Sequence, residues 1–183
     1  MNKTDDATMK PLGSKIGAAH ALNDHSAAIR AATAVDALAL CNLMREYWEF
    51  EGIPHFNSAR ISTLLQTALS PGGGAYAWLA EDAEHQPLGY LFAVTQISME
   101  YGGITAEIDE LYVRQQFRGT GLGVALLNQA EQSLRTLAVC CLQLQLATDN
   151  LEAREFYRRH AFKRRAGYEL WDKRLTAPPA PER

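Results

Sequence analysis

The strongest constraint in this chain is a strand that passes through a glycine-rich turn into a helix, IDELYVRQQFRGTGLGVALL over residues 108–127. Upstream of the turn the residues are apolar, acidic and aromatic, as in a strand. Downstream, Leu122, Leu126, Ala130 and Leu134 step by four, with Leu127 and Leu137 beside them. That spacing is an amphipathic helix. Between the two, RGTGLG sets Gly119, Gly121 and Gly123 at alternate positions behind Arg118. A helix N-terminus offers unpaired N–H groups and the positive end of the helix dipole. Glycines without Cβ atoms let a ligand come close to that backbone. Arg118 adds charge, so the local chemistry suits a pyrophosphate. As six residues alone, RGTGLG is equally a turn that binds nothing.

Two common nucleotide motifs fit poorly. A P-loop needs GxxxxGK[ST], and no lysine stands at the required place. A dinucleotide fingerprint counted from Gly119 would need glycine or alanine at Val124, and it opens a doubly wound fold. Here three strand-like runs come first: Ala75 to Glu81, Pro87 to Ile97 and Ile104 to Val113, joined by short turns as in an antiparallel meander.

Ala28 to Ala31 reads as a short first strand. Thr33 is placed to cap a helix carrying Val35, Leu38, Cys41, Leu43, Met44 and Tyr47, which Gly52 and Pro54 end. Ser58 to Leu69 gives a second helix, with Ile61, Leu64, Leu65 and Leu69 on one side. SPGGG at 70–74 is a turn. After the glycine-rich helix, Cys140 to Ala147 alternates apolar and polar residues as a strand does. A helix then opens at TDN, with Asp149 and Glu152 at capping-box-like spacing; Ala153, Phe156, Tyr157 and His160 share one side. Tyr168 to Leu175 reads as a last strand. The order is β α α β β β α β α β, which predicts an α+β (mixed α/β) fold: a central, mostly antiparallel sheet flanked by helices. Residues 1–25 read as a flexible leader, 26–176 as one domain and 177–183 as a disordered, proline-rich tail.

The chain has 183 residues, 47% hydrophobic and 21% charged, with a net charge of −3. This is ordinary for a globular domain with a real core and gives no general attraction to nucleic acid. The basic cluster Arg154, Arg158, Arg159, Lys163, Arg164 and Arg165 is interleaved with acids and apolar residues. No apolar run is long enough to cross a membrane, and the first residues lack a signal-peptide core. Three cysteines without CxxC spacing read as reduced, in a cytoplasmic protein. The five histidines show no ligand spacing, and no metal is expected.

Arg118, Gly121 and Gly123 form R-x-x-G-x-G, which resembles the acetyl-CoA signature of the GNAT superfamily of N-acetyltransferases. The likeness extends over IDELYVRQQFRGTGLGVALL. About thirty residues on, DNLEAREFYRRHAF resembles that superfamily's second motif, with Asn150, Ala153, Phe156, Tyr157 and Phe162 in place and Ala161 where glycine is usual. The element order agrees, and the resemblance covers roughly residues 28 to 175.

The resemblance implies a GNAT-like sheet split between the fourth and fifth strands, with acetyl-CoA as cosubstrate. The amides of Arg118, Gly119, Thr120, Gly121, Leu122, Gly123 and Val124 would hold its pyrophosphate. The pantetheine arm would pair like an added strand along Leu111, Tyr112 and Val113, where a bulge would help open the gap and an N–H would polarise the acetyl carbonyl. Asn150 and Tyr157 would complete the cofactor site. Tyr157 is the candidate general acid. Asp109 and Glu110 are the candidate bases, with Glu110 preferred; strand alternation would put them on opposite faces.

Acceptor contacts are harder to read. REYWEFEG joins Glu46, Glu49 and Glu51 to Tyr47, Trp48 and Phe50, and Glu100 sits in SMEYGG. Acids beside aromatics suit a cationic amine; the same stretch is equally a solvated helix end. The expected function is acetyl transfer to a small amine: a polyamine, an aminoglycoside or an amino-acid-like compound. Protein N-terminal or lysine acetylation and a catalytically silent CoA-binding module are the alternatives. The resemblance also implies a homodimer.

Overall fold

A computed structural model describes residues 27–176. The expected leader at 1–25 and tail at 177–183 lie outside the described residues. Five strands form one sheet: β1 (Ala28–Ala32), β2 (Ala75–Glu81), β3 (Pro87–Ser98), β4 (Gly103–Val113) and β5 (Val139–Leu144), in that spatial order. The first four pair antiparallel, and β5 joins β4 in parallel. The mixed, mostly antiparallel sheet is the architecture expected from the sequence.

Among the described residues four helices flank it: α1 (Ala37–Glu51), α2 (Ser58–Ala68), α3 (Leu122–Thr136) and α4 (Leu151–Arg159). Each sheet face has its own core. On one, Leu40, Leu43 and Met44 of α1 and Leu65 of α2 pack on Leu79, Tyr90 and Tyr112. On the other, Leu122, Leu126, Leu127, Ala130 and Leu134 of α3 pack on Trp78, Leu91, Ala106 and Ile108, with Phe156 and Tyr157 of α4 alongside. Removing each such leucine from water stabilises the fold by about 1.5–3 kcal/mol. The four-residue step along α3 is therefore the buried stripe itself.

Several local expectations are corrected. Thr33 precedes a short 3-10 turn, Ala34–Asp36, before α1 begins; the Asp36 carboxylate accepts the Thr33 N–H at 2.8 Å. That turn rotates Val35 and Leu38 outward, leaving Leu38 70% exposed, and Leu64 of α2 likewise faces solvent. At α4 the cap is Asn150, not Asp149: its Oδ1 accepts the Ala153 N–H at 3.0 Å.

The last expected strand, Tyr168–Leu175, does not form. Strand propensity acts through cross-strand partners, and this segment pairs with none. Its tie to the body is Arg165, which binds Glu100 at 2.7 Å and lies 4.0 Å from the Tyr168 ring centre. Leu170, Trp171 and Leu175 are left exposed.

Candidate active site

The glycine turn and α3 supply the first half of the site. Gly119 and Gly121 hold φ of 75° and 89°, and an added Cβ at either would meet nothing within 4 Å. Only the left-handed conformation demands glycine there; the space in front of the backbone is open. Gly121 is the α3 N-cap, and no side chain caps that end. Thr120 does not serve, because its hydroxyl donates to the Phe117 carbonyl at 2.7 Å. The first-turn amides of Leu122, Gly123 and Val124 therefore face the opening without a side-chain acceptor. A diphosphate fits this cradle by charge and by clearance. At Gly123, a Cβ would stand 3.9 Å from both Phe156 and Val113, so the two sequence motifs touch here.

Arg118 sits differently from a simple phosphate clamp. Its Nε donates to the Val113 carbonyl at 2.9 Å, and its guanidinium lies 4.1 Å from the Phe50 ring centre and 5.6 Å from that of Tyr112. It joins the glycine turn to the end of α1.

The split lies between β4 and β5. Their pairing runs from Ile104 with Val139 to Ile108 with Leu144 and stops, while β4 continues to Val113. The β4 edge over Asp109–Val113 is thus open on the β5 side, with backbone groups of Leu111, Tyr112 and Val113 available to a strand-like ligand.

A bulge marks the point of divergence. Ala93 pairs with Ile108 and Phe92 with Glu110, leaving Asp109 as the extra residue. The bulge shifts the alternation by one. Ile108 and Leu111 both pack towards α3, whereas Tyr112 belongs to the α1 and α2 side. Glu110 also faces that side, where α1 and β3 hold it: Trp48 Nε1 donates to Oε1 at 2.8 Å and Tyr90 Oη to Oε2 at 2.5 Å. Asp109 feels the charge of Glu107, and both Asp109 and Glu110 raise the Tyr47 and Tyr90 phenols. The two carboxylates therefore share one face, correcting the expectation of opposite faces.

Burial pushes the Glu110 carboxyl up against the lowering effect of its two donors, and Asp109 adds repulsion. Partial loss of hydration, then Glu107, pushes Asp109 up although it stands exposed at the cleft mouth. Tyr47 is raised to about 12 by burial, then by Glu51, Glu110 and Asp109. Tyr157, from α4, is raised to about 12 by burial and next by Tyr47. Helices α1 and α4 thus bring two phenols within electrostatic reach across the split. Tyr157 packs edge-on against Phe156 and Phe162, with ring centres 5.1 and 5.3 Å away. Its hydroxyl has no hydrogen bond among the described residues.

Ala161 keeps the turn that usually carries glycine, at φ 65°. A non-glycine residue there costs about 1–2 kcal/mol.

The remaining predicted residues separate into two groups. Glu51 joins the cluster through Tyr47. Glu46 is engaged elsewhere: its carboxylate accepts from Arg114 Nε at 2.9 Å and from Arg114 Nη2 at 2.7 Å. Glu49 is exposed, and Glu100 is paired to Arg165 away from the split. The Asn150 Oδ1 is spent on its cap. Among the described residues, no group of His, Cys, Asp and Glu comes together as a metal site, and no helix is long and apolar enough to cross a membrane.

Sequence reasoning missed Tyr90 and Arg114, and it named Trp48 and Phe50 without their roles. Tyr90 carries no local signal, since an aromatic in a buried strand reads as core. Its value comes from facing Glu110 across the bulge.

A family model described as Acetyltransferase (GNAT) family matches residues 37–162. An uncharacterized N-acetyltransferase of Methanocaldococcus jannaschii is 35% identical over 66 residues, covering 36% of this chain and 29% of that protein. The chain therefore matches less than a third of that curated relative's length. An integron cassette protein from the mobile metagenome of Cole Harbour Salt Marsh superposes with a TM-score of 0.70 at 27% identity, over 82% of this chain and 91% of that one. An aminoglycoside acetyltransferase from an uncultured soil metagenomic sample gives a TM-score of 0.67 at 17% identity, over 81% and 97%; that likeness is one of fold.

Proposed function

The chain belongs to the GNAT acetyltransferase family, and we propose that it is a cytoplasmic, acetyl-CoA-dependent N-acetyltransferase acting on a primary amine of a small molecule. The observation that carries this reading is the convergence at the split. An uncapped glycine cradle, an open β4 edge, two carboxylates and two phenols meet there, drawn from α1, β4, α3 and α4.

Acetyl-CoA, when bound, supplies the acetyl group as an activated thioester. The amides of Gly119–Val124 would hold its diphosphate, and the β4 edge at Leu111–Val113 would orient its arm. Tyr157 keeps its proton throughout the working range, because its phenol sits near 12. It therefore serves the departing sulfur as a hydrogen-bond donor. Full proton transfer to an ordinary thiolate runs uphill by about three pKa units, so donation during bond breaking is the contribution to expect. Asp109 or Glu110 takes the acceptor's proton, directly or through water.

For the acceptor, Asp109, Glu110 and Glu51, which all act on the Tyr47 phenol, support a cationic amine such as a polyamine, an aminoglycoside or an amino-acid-like compound. Acidic groups and aromatic faces together favour an ammonium. A homodimer is part of the same reading, supported by the exposed Leu170, Trp171 and Leu175. Release of free CoA thiol, followed across small amines and peptides, tests the whole.

A further inference from the structure

Beside the proposed site, β4 and β5 carry polar side chains that the reading above does not use. Ala106 and Ile108 pack towards α3, so alternation turns Thr105 and Glu107 to the opposite face, the one that Asp109 and Glu110 share. Leu142 and Leu144 of β5 also pack towards α3, which turns Gln143 and Gln145 to the face of Glu107. The core under α1 and α2 takes no residue from β5. Solvent therefore reaches this part of the face: Gln145 is exposed, and Glu107 and Gln143 are half-buried.

Gln145 stands one residue past the end of β5, and its Nε2 donates to Glu107 Oε1 at 2.7 Å. The bond bridges β4 and β5 at the apex of the split, where pairing stops at Ile108 and Leu144. Glu107 Oε2 and the Gln145 amide oxygen accept nothing from the described residues. The Thr105 hydroxyl, two residues back on the same face, is buried without a partner, although a buried polar group ordinarily has one. These three oxygens lack a donor. A primary ammonium carries three N–H donors and no acceptor, the complement of that set. Charge points the same way. Among the described residues no arginine, lysine or histidine pairs with Glu107 or Asp109, and Glu107 repels Asp109. A single ammonium at Asp109 leaves Glu107 uncompensated, and a substrate carboxylate beside Glu107 adds to the repulsion.

We propose that Glu107 and Gln145 form a specificity subsite for a second ammonium, so that the acceptor is a dication of the α,ω-diamine class. This rests on the N-acetyl transfer proposed above and narrows its acceptor. Glu107 and Asp109 stand two steps apart on β4, about 7 Å along the strand. A diamine with about four carbons between its nitrogens spans roughly 6 Å when extended. One amine then lies at Asp109 and Glu110, while the other stays charged between Glu107 and Gln145. An amino acid, which brings a carboxylate to that end, is disfavoured. The distant ammonium changes little during the reaction, so the subsite acts on KM rather than on kcat.

The test follows CoA thiol release by the full chain with diaminobutane (one amine at each end), butylamine and γ-aminobutyrate, whose chains have the same length. The wild type is expected to prefer diaminobutane to butylamine by at least about tenfold in kcat/KM, with γ-aminobutyrate poorest. Glu107→Gln is expected to lower kcat/KM for diaminobutane by about 10- to 100-fold, mostly through KM, and to bring the three amines closer together. Gln145→Ala, at an exposed position, is expected to do the same by about two- to tenfold. Equal use of diaminobutane and butylamine by the wild type overturns the subsite. So does a Glu107→Gln enzyme that keeps the wild-type preference, or one whose loss falls on kcat for every amine alike. A second readout needs no turnover: calorimetry of diaminobutane with the protein in the presence of CoA. Glu107→Gln is expected to bind it at least about tenfold more weakly; equal affinity overturns the subsite. A wild type that acetylates none of the amines would instead sink the acetyl-transfer reading, with the calorimetry still deciding the subsite.

Discussion

The Arg118 guanidinium lies 4.1 Å from the centre of the Phe50 ring. Arg118 belongs to the glycine turn and Phe50 to the last turn of α1, so one cation–π contact ties the proposed cofactor cradle to the acceptor wall. Phe50 is 57% exposed, so the contact is worth about 0.5–1 kcal/mol. Phe50→Ala should therefore weaken CoA binding by about two- to fivefold, and Phe50→Tyr should restore it. Calorimetry decides; equal affinity in all three proteins would show that Arg118 needs no partner on α1.

Gly121 should tolerate no acidic side chain. Its φ of 89° already disfavours any Cβ. Glutamate would add a negative charge and fill the open space before the α3 N-terminus. Gly121→Glu is expected to remove measurable CoA binding, while Gly121→Ala, which adds no charge, retains more. Retained affinity in Gly121→Glu would place the diphosphate elsewhere.

Stability should change with pH in a direction set by Glu110. Its carboxyl is raised in the folded protein, burial being the main cause. The folded state then binds that proton more tightly than the unfolded chain. The contribution favours folding below the ordinary carboxyl pKa of about 4.3 and is lost as pH rises through the raised value. In Glu110→Gln this loss is absent, so its Tm relative to wild type should rise between about pH 4 and pH 7. A difference that is flat or falling over that range would mean that Trp48 and Tyr90 outweigh the burial.

The exposed apolar end should govern association. Trp171 is 85% and Leu170 73% exposed, more apolar surface than a short loop usually presents. If two copies cover it, Leu170→Glu with Trp171→Glu should convert a dimer to a monomer in light scattering. A wild-type monomer at tens of micromolar would remove the dimer from the proposal.

Much of this architecture was legible in the sequence because it depends on local periodicity. The four-residue step from Leu122 to Leu134 became the buried stripe of α3, and the three strand-like runs became β2, β3 and β4. The split followed from the resemblance, and the pairing that ends at Ile108 agrees with it. Apart from the local cap corrections at Thr33 and Asn150, what failed depended on partners distant in the chain. Residues 168–175 have a strand's composition, but composition names no neighbouring edge. Glu46 reads as an acceptor acid until Arg114, 68 positions away, closes on it. The shared face of Asp109 and Glu110 was hidden too, since a bulge is a property of two strands in register and alternation read along one strand misses it.

Thiol release from acetyl-CoA, measured across a panel of polyamines, aminoglycosides, amino acids and peptides, tests the central claim most directly, with Tyr157→Phe beside the wild type. The expected result is amine-dependent release by the wild type, strongest with small cationic amines, and a fall in kcat of about 10²-fold or more in Tyr157→Phe. Release unchanged by Tyr157→Phe would take the proton-donor role from Tyr157. No release with any amine, in a protein that still binds CoA, would contradict acetyl transfer and leave a binding module.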